Sequence, residues 1–478
     1  MLKNNSLFPD RNSVIQTGIV LLIVLASRIP FLSAGYGVDA DSWRVAAVAR
    51  NIAVTGQYGY SRVPGHPVQE VICSFFWDKG PVVLNGLTAL MSLLAVYFFI
   101  LILKKLRFKN IYFPALAFAM TPIIIINSVN CMDYLWALAF MIGSMYFVMQ
   151  NKLFTAGILL GIANGCRSTS VLMIVPLVII LYFCNNYPVR QKIRNIIILS
   201  LTTAFSTLIL FIPVFRRYGL DLFNDVVSNY PGLVFVAFRM TIATWGLIGT
   251  IGIIAALLIH IFSSKKQKKD IDERKLKWDK YFNLALWSAI ILFFLVFLTL
   301  PYKANYFIPI VPLFLILTGR FMSAKLFSIM CISLMISPFL FGLSRMDISI
   351  LPDFSKYSFS YNIAGSRIVI DPVNGPVLTQ NSIRINRMKY ADNVLEQGRH
   401  IQGKSVVIVD EVYPLIDVKL PYHVQGKVVY ECLVDSMRIL NYKKDGYEIY
   451  YLPGEDTITM NLYNININSL GAKNFFQK

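Results

Sequence analysis

Acidic residues are scarce in this chain of 478 residues, with 26 Asp and Glu against 45 Lys and Arg, and charged residues of both signs make up only 15%. Cysteine is sparse too. The six thiols (Cys73, Cys131, Cys166, Cys184, Cys331 and Cys432) share no CxxC and no paired spacing, so neither a disulfide framework nor a zinc site is indicated. No internal repeat, low-complexity tract or nucleotide-binding motif is evident. What fills the chain is apolar: 56% hydrophobic residues, 34 Phe, 25 Tyr and a mean hydropathy of +0.58 exceed what a soluble core needs. The net charge of +19 would suggest nucleic acid in a soluble protein. Here the basic residues sit mostly in short loops between apolar runs, where they set orientation, and no nucleic acid partner is expected.

Apolar runs of about 18 residues or more recur along the chain. Spans are expected near residues 14 to 34, 80 to 103, 111 to 128, 133 to 150, 153 to 166, 168 to 184, 195 to 215, 240 to 262, 281 to 300, 304 to 319 and 322 to 343. The first reads as a retained span, since no small-residue cleavage site follows it. With the N-terminus cytoplasmic, the inner loops hold Lys104, Lys105, Arg107, Lys109, Lys152, Arg190, Lys192, Arg194 and the basic stretch from Lys265 to Lys280. The positive-inside bias supports that orientation. It places the loop 35–79, the Asn127 to Asp133 turn, the segment 216–239, Tyr302-Lys303 and the whole C-terminus on the outer face. From about Ser344 polar residues return and apolar runs shorten to strand length, as in Ser405 to Asp410 and Tyr447 to Tyr451, with a helix expected between Tyr430 and Leu440. The expected fold class is therefore an α-helical polytopic membrane protein of about eleven spans. Residues 1–343 would form the transmembrane domain and 344–478 a small extracytoplasmic α/β domain.

Chemistry-bearing residues concentrate in the first outer loop. It carries Asp39-Ala40-Asp41-Ser42-Trp43-Arg44, then Arg62, His66 between Gly65 and Pro67, and Glu70. A helix from Asp41 to about Val54 would align Asp41, Arg44, Asn51 and Thr55 as one polar stripe along the membrane surface, with Val45, Ala49, Ile52 and Ala53 elsewhere. Asp39 and Asp41 are two apart and should point in different directions, so one of them would meet substrate while the other caps the helix. Elsewhere, Arg167 falls between two short apolar helices, where a charge near mid-bilayer costs roughly 2.5 to 3.5 kcal/mol and demands a partner. Asp133 could be that partner or a helix cap, and Lys303 either a ligand or a side chain snorkelling to headgroups.

These features together resemble the GT-C superfamily of membrane glycosyltransferases, in particular the bacterial branch of protein mannosyltransferases and lipid A aminoarabinose transferases. The carriers are Asp41 followed by Ala49-Arg50-Asn51, the turn Pro64-Gly65-His66-Pro67, Ala156 to Gly161 leading into Arg167, and Lys303 with Tyr306 and Pro309. The Lys-Pro-Pro of some branches is absent; Asp78-Lys79-Gly80-Pro81 is a partial echo. The resemblance spans about residues 14 to 320.

It implies inverting transfer of a sugar from a polyprenyl-phosphate donor to a glycan, lipid or protein acceptor at the outer face of a bacterial inner membrane. Asp41, with Asp39 beside it, would be the catalytic base. Arg167, Lys303 and Lys79 would hold the donor phosphate, and Arg44, Arg62, His66, Glu70, Asp133, Tyr134 and Tyr306 would line the substrate pocket. No cofactor is implied, and two carboxylates without a third ligand argue against a metal. A lipid-linked glycan transporter should spread its charges through the bilayer, and an O-antigen polymerase or ligase should carry its main polar loop late. Both remain the alternatives.

Overall fold

The computed structural model describes residues 11–219, 231–263, 273–345, 350–363, 366–409, 412–420, 427–431, 436–452 and 471–476. Asp410, Cys432 and the basic residues 265–272 lie outside them. Fifteen helices precede the first strand among the described residues: α1 (Arg11–Ala26), α2 (Ala40–Thr55), α3 (Pro67–Ser74), α4 (Gly80–Lys105), α5 (Tyr112–Met120), α6 (Pro122–Ser128), α7 (Tyr134–Met149), α8 (Leu153–Cys166), α9 (Ile174–Phe183), α10 (Val189–Tyr218), α11 (Leu233–Met240), α12 (Ile242–Ser263), α13 (Glu273–Thr299), α14 (Ile310–Phe321) and α15 (Ala324–Ile336). Segments Arg11–Phe31, Trp77–Lys105, Val189–Tyr218 and Trp278–Thr299 are long and apolar enough to cross a membrane. Shorter apolar helices occupy most of the other expected spans.

Two expected spans are broken, each for a local reason. The run 111–128 divides because Thr121 precedes Pro122, whose ring disfavours helical backbone one residue back; Thr121 is extended at ψ 131. The run 240–262 bends by 94° between Leu233–Trp245 and Leu247–Ser263. Gly246 makes the bend with φ 71, and a Cβ there would stand 2.1 Å from Ser337 Oγ. That hydroxyl donates to Trp245 O (2.9 Å) and accepts from Gly249 N (3.1 Å), satisfying backbone groups the break would otherwise orphan in apolar surroundings.

Glycine spacing sets how closely α8 approaches its neighbours. Gly157 and Gly161 face α10 so tightly that added Cβ atoms would lie 2.6 Å from Thr202 Cβ and 2.4 Å from Ser206 Cβ. Gly165, one more turn along, meets Val68 of α3 at 2.7 Å. This is small-residue packing at four-residue spacing, and it seats the end of α8, where Arg167 follows, against the first loop.

The C-terminal part holds an antiparallel sheet in the order β1 (Gly342–Arg345), β3 (Ser366–Asp371), β2 (Phe359–Ile363). Helix α16 (Pro376–Arg399) follows, then β4 (Ser405–Ile408), α17 (Tyr413–Lys419), β5 (Val428–Glu431), α18 (Ser436–Lys444), β6 (Glu448–Tyr451) and β7 (Lys473–Asn474). The last four strands form a parallel sheet in the order β5-β4-β6-β7. Tyr430, the expected start of a helix, lies in a strand, because Val428-Val429-Tyr430 is a β-favouring run that pairs with β4; the described helix covers Ser436–Lys444. Two buried arginines fasten this part to the bundle. Arg50 of α2 donates to Asp417 O (2.8 Å), Leu420 O (2.9 Å) and Asp417 Oδ1 (2.9 Å); Arg384 of α16 donates to Gly35 O (2.6 Å) and Val129 O (2.9 Å).

Candidate active site

The site starts with the entry to α2. Gly37 leaves no room for a Cβ against Ser42 Oγ, Trp43 Nε1 donates to Gly37 O (2.9 Å), and Asp39 takes the N-cap position. Its carboxylate accepts from Asp41 N at 3.1 Å. The helix covers Ala40–Thr55, close to the expected range, but the surface-lying amphipathic picture needs correction. Arg50 on its buried side enters the C-terminal part, whereas Ala53 is exposed.

The expected divergence of Asp39 and Asp41 is also corrected. Lys303 Nζ stands 2.8 Å from Asp39 Oδ2 and bonds Asp41 Oδ2 as well. The cap residue has extended backbone (φ −74, ψ 135), so its side chain folds back over the first turn instead of following helical spacing. Lys303 therefore does not snorkel; it clasps the two carboxylates. Burial alone would lower its ammonium, but Asp39 beside it more than offsets that, and the group is held above the ordinary lysine range. Reciprocally, burial would raise the Asp39 carboxyl, and Lys303 keeps it below its usual value.

Two arginines complete the surroundings of Asp41. Arg44, one turn on, reaches Asp41 Oδ1 at 3.0 Å and is half exposed. Arg62 lies 3.9 Å from Asp41 Oδ2 and puts its other nitrogen 2.5 Å from Asp133 Oδ1. Asp133 is fully buried and accepts from Arg167 Nη1 (2.7 Å) through Oδ2. It precedes α7 without making a side-chain cap, so it is the partner of the buried arginines and not a helix cap. Burial would raise its carboxyl, yet Arg62 and Arg167 hold it well below the carboxylate range. Four cations, Arg44, Arg62, Arg167 and Lys303, thus meet three carboxylates, and the cluster keeps one positive charge in excess.

His66 and Glu70 are framework. His66 is buried; its Nδ1 lies 2.9 Å from Cys166 O and 3.8 Å from Asp133 Oδ2. Burial pushes the imidazole below its ordinary value, which leaves it neutral at pH 7 and donating Nδ1–H to that carbonyl. Glu70, fully buried, accepts from Tyr58 Oη, Ser61 N (2.7 Å), Ser61 Oγ (2.6 Å) and His66 N (2.9 Å). Every oxygen is engaged by the loop itself, so Glu70 folds the loop and does not line a pocket. Lys79 pairs with Asp78 at 2.8 Å, both about half exposed, and no described contact joins it to the cluster.

Beyond the carboxylates, the guanidinium of Arg167 lies 4.1 Å over the Tyr134 ring and 4.6 Å over the Tyr306 ring. These residues line a small cleft together with Thr169, Ser170 and Asn305, and its remaining walls are apolar, including Met141, Phe293 and Val296. Ser170 Oγ and Tyr134 Oη, both buried, have no hydrogen-bond partner among the described residues. The polar run Ser168-Thr169-Ser170 after Arg167 was the signal for Ser170 that sequence reading passed over. Among the described residues no three His, Cys, Asp or Glu side chains converge as metal ligands would.

No family model and no curated protein matches the sequence. Among solved structures, the chain is similar to ArnT from Cupriavidus metallidurans bound to undecaprenyl phosphate, with a TM-score of 0.55 at 12% identity, over 91% of this chain and 88% of that one. The fold is that of this ArnT structure. Apo ArnT from the same organism is 11% identical with a TM-score of 0.43, over 95% of this chain and 91% of that one. The Archaeoglobus fulgidus oligosaccharyltransferase tethered with an acceptor peptide is 10% identical with a TM-score of 0.48, over 87% of this chain and 64% of that one. At such identities the likeness concerns architecture; the side chains must speak for the chemistry.

Proposed function

We propose that the chain transfers a sugar from a polyprenyl-phosphate donor to an acceptor hydroxyl at the outer face of a bacterial inner membrane. The observation that carries this is the meeting of a partly accessible carboxylate cluster with an arginine-headed, apolar-walled cleft: one half suits a nucleophile's proton, the other a lipid phosphate. Asp41 takes the proton of the acceptor hydroxyl as that oxygen bonds the anomeric carbon and the carbon–oxygen bond to phosphate breaks with inversion. The phosphate leaves with its electron pair, stabilised by Arg167, by the Ser170 and Tyr134 hydroxyls, and by Lys303. Lys303 can serve only by shifting from the carboxylates to the incoming phosphate, which frees an Asp41 oxygen as the donor arrives. The polyprenyl chain runs along Met141, Phe293 and Val296. No metal enters this reading.

Residues 1–343 form the catalytic domain and 344–478 an extracytoplasmic domain, with the N-terminus cytoplasmic. Charges gathered at one end of the bundle disfavour a transport path through it. Mass spectrometry of cell-surface glycans from a deletion strain tests the assignment. Complementation with wild type should restore one sugar unit that Asp41→Asn at matched expression does not; equal rescue removes Asp41 from the chemistry.

A further inference from the structure

Helix α16 turns Gln380, Asn381 and Arg384, at offsets of one and four, toward Phe31 and Asn130 of the bundle, and between them lies a small open cleft. It is separate from the Arg167 cleft and shares no lining residue with it. Arg384 is 2% exposed and spends one nitrogen, Nη2, on Gly35 O and Val129 O. Its Nε is buried without a partner. So are Asn130 Oδ1, on a residue 8% exposed, and Asn381 Oδ1.

What sets Arg384 apart is the missing acid. Arg50 has Asp417, and Arg62 and Arg167 share Asp133, but no ion pair among the described residues reaches Arg384. Burial draws its guanidinium down to about 10 with no carboxylate to oppose it. Arg28, likewise without an acid and with an unpartnered Nε, donates to Ser27 Oγ and Ala119 O at a helix break and lines neither cleft, so it is the place of Arg384 on the cleft that distinguishes it. A buried cation facing open space, flanked by unpaired polar atoms, is an anion's complement. The two amides fit the same ligand, because turning an Asn side chain over exchanges its oxygen for an N–H donor.

We propose that this cleft binds an oxyanion, a carboxylate or a phosphate, through Arg384, Asn130 and Asn381, and serves as the subsite for an acidic group on the acceptor. The acceptor assignment rests on the function proposed above; the oxyanion site does not. Position supports the link. Asn130 Cγ lies 3.5 Å from the point where Gly37 would carry a Cβ, and Ser42 Oγ, next to Asp41, lies 2.2 Å from the same point. The cleft thus abuts the first turn of α2. One acidic group would enter there, with the rest of the acceptor extending toward Asp41.

The test uses the purified full-length chain in a neutral detergent, titrated with D-glucuronate, inorganic phosphate or D-glucose while the thermal midpoint is followed. Glucuronate or phosphate should raise the midpoint and glucose should not; the stronger of the two names the group. Asn381→Asp places a carboxylate in the cleft while keeping both Arg384 backbone bonds, and should weaken the response at least tenfold. Arg384→Lys should weaken it less. Arg167→Gln should leave the glucuronate response intact. An equal response to glucose, or an unchanged response in Asn381→Asp, overturns the site. A response lost in Arg167→Gln but kept in Asn381→Asp assigns the anion to the other cleft and also overturns it. Since no turnover is involved, intact oxyanion binding beside an active Asp41→Asn would sink the catalytic reading and the acceptor assignment with it, and leave the oxyanion site standing.

Discussion

Asp41 and Asp133 each gather basic side chains and share Arg62, but the rest of their company differs. Asp133 is sealed, and its partners Arg62 and Arg167 are only 15% and 12% exposed. Asp41 is held by Arg44 and Lys303, which are 51% and 33% exposed. A sealed pair cannot exchange partners without stranding charge in a dry interior, whereas an accessible one can trade a lysine for a substrate group at small cost. The same chemical motif therefore serves as a fixed frame on one side and as exchangeable machinery on the other.

Substitution should separate the two most sharply. Asp133→Asn strands Arg62 and Arg167 and should cost about 3 to 5 kcal/mol of stability, seen as a large drop in thermal midpoint. Asp41→Asn, whose carboxylate is buried but whose partners Arg44 and Lys303 reach solvent, should cost less stability than Asp133→Asn while lowering turnover by roughly 10² to 10⁴. If both variants lose stability alike, the distinction between frame and machinery fails.

Acid should sharpen it next. His66, Asp133 and Asp39 all have folded values below their ordinary ones, so each contributes stability at higher pH that is lost as pH falls. The midpoint should be flat above about pH 7, decline below about 6.5 as His66 protonates on unfolding, and fall further below about 4 with the carboxylates. His66→Gln should erase the first decline alone. Smaller effects on stability follow: Asp39→Ala loses a cap worth about 1 kcal/mol and one of the two carboxylates on Lys303, and at the periphery Lys79→Ala should change stability by no more than about 0.5 kcal/mol and leave donor affinity unaltered.

The apolar runs announced most helices, and the Asp41 helix and its Asp39 cap lay in local spacing and cap chemistry. What spacing could not reveal were contacts closed across the fold. Lys303 lies 262 residues from Asp41 and Arg384 lies 349 from Gly35, and no periodicity connects them. Glu70 looked like a site residue because a carboxylate beside a histidine carries the same signature whether it serves substrate or its own loop. The bend at Gly246 was hidden because an apolar run reads alike whether it continues or turns.

Arg50 gives helix α2 a mechanical character. Nine residues separate it from Asp41, about 13 Å along a helix. With its guanidinium fixed to the end of α17 and its first turn clasped by Lys303, α2 is a short lever pinned at both ends, one pin in each part of the chain. Any tilt of the C-terminal part against the bundle is delivered as a displacement of Asp41, so grip on an acceptor can be transmitted to the base through a rigid rod.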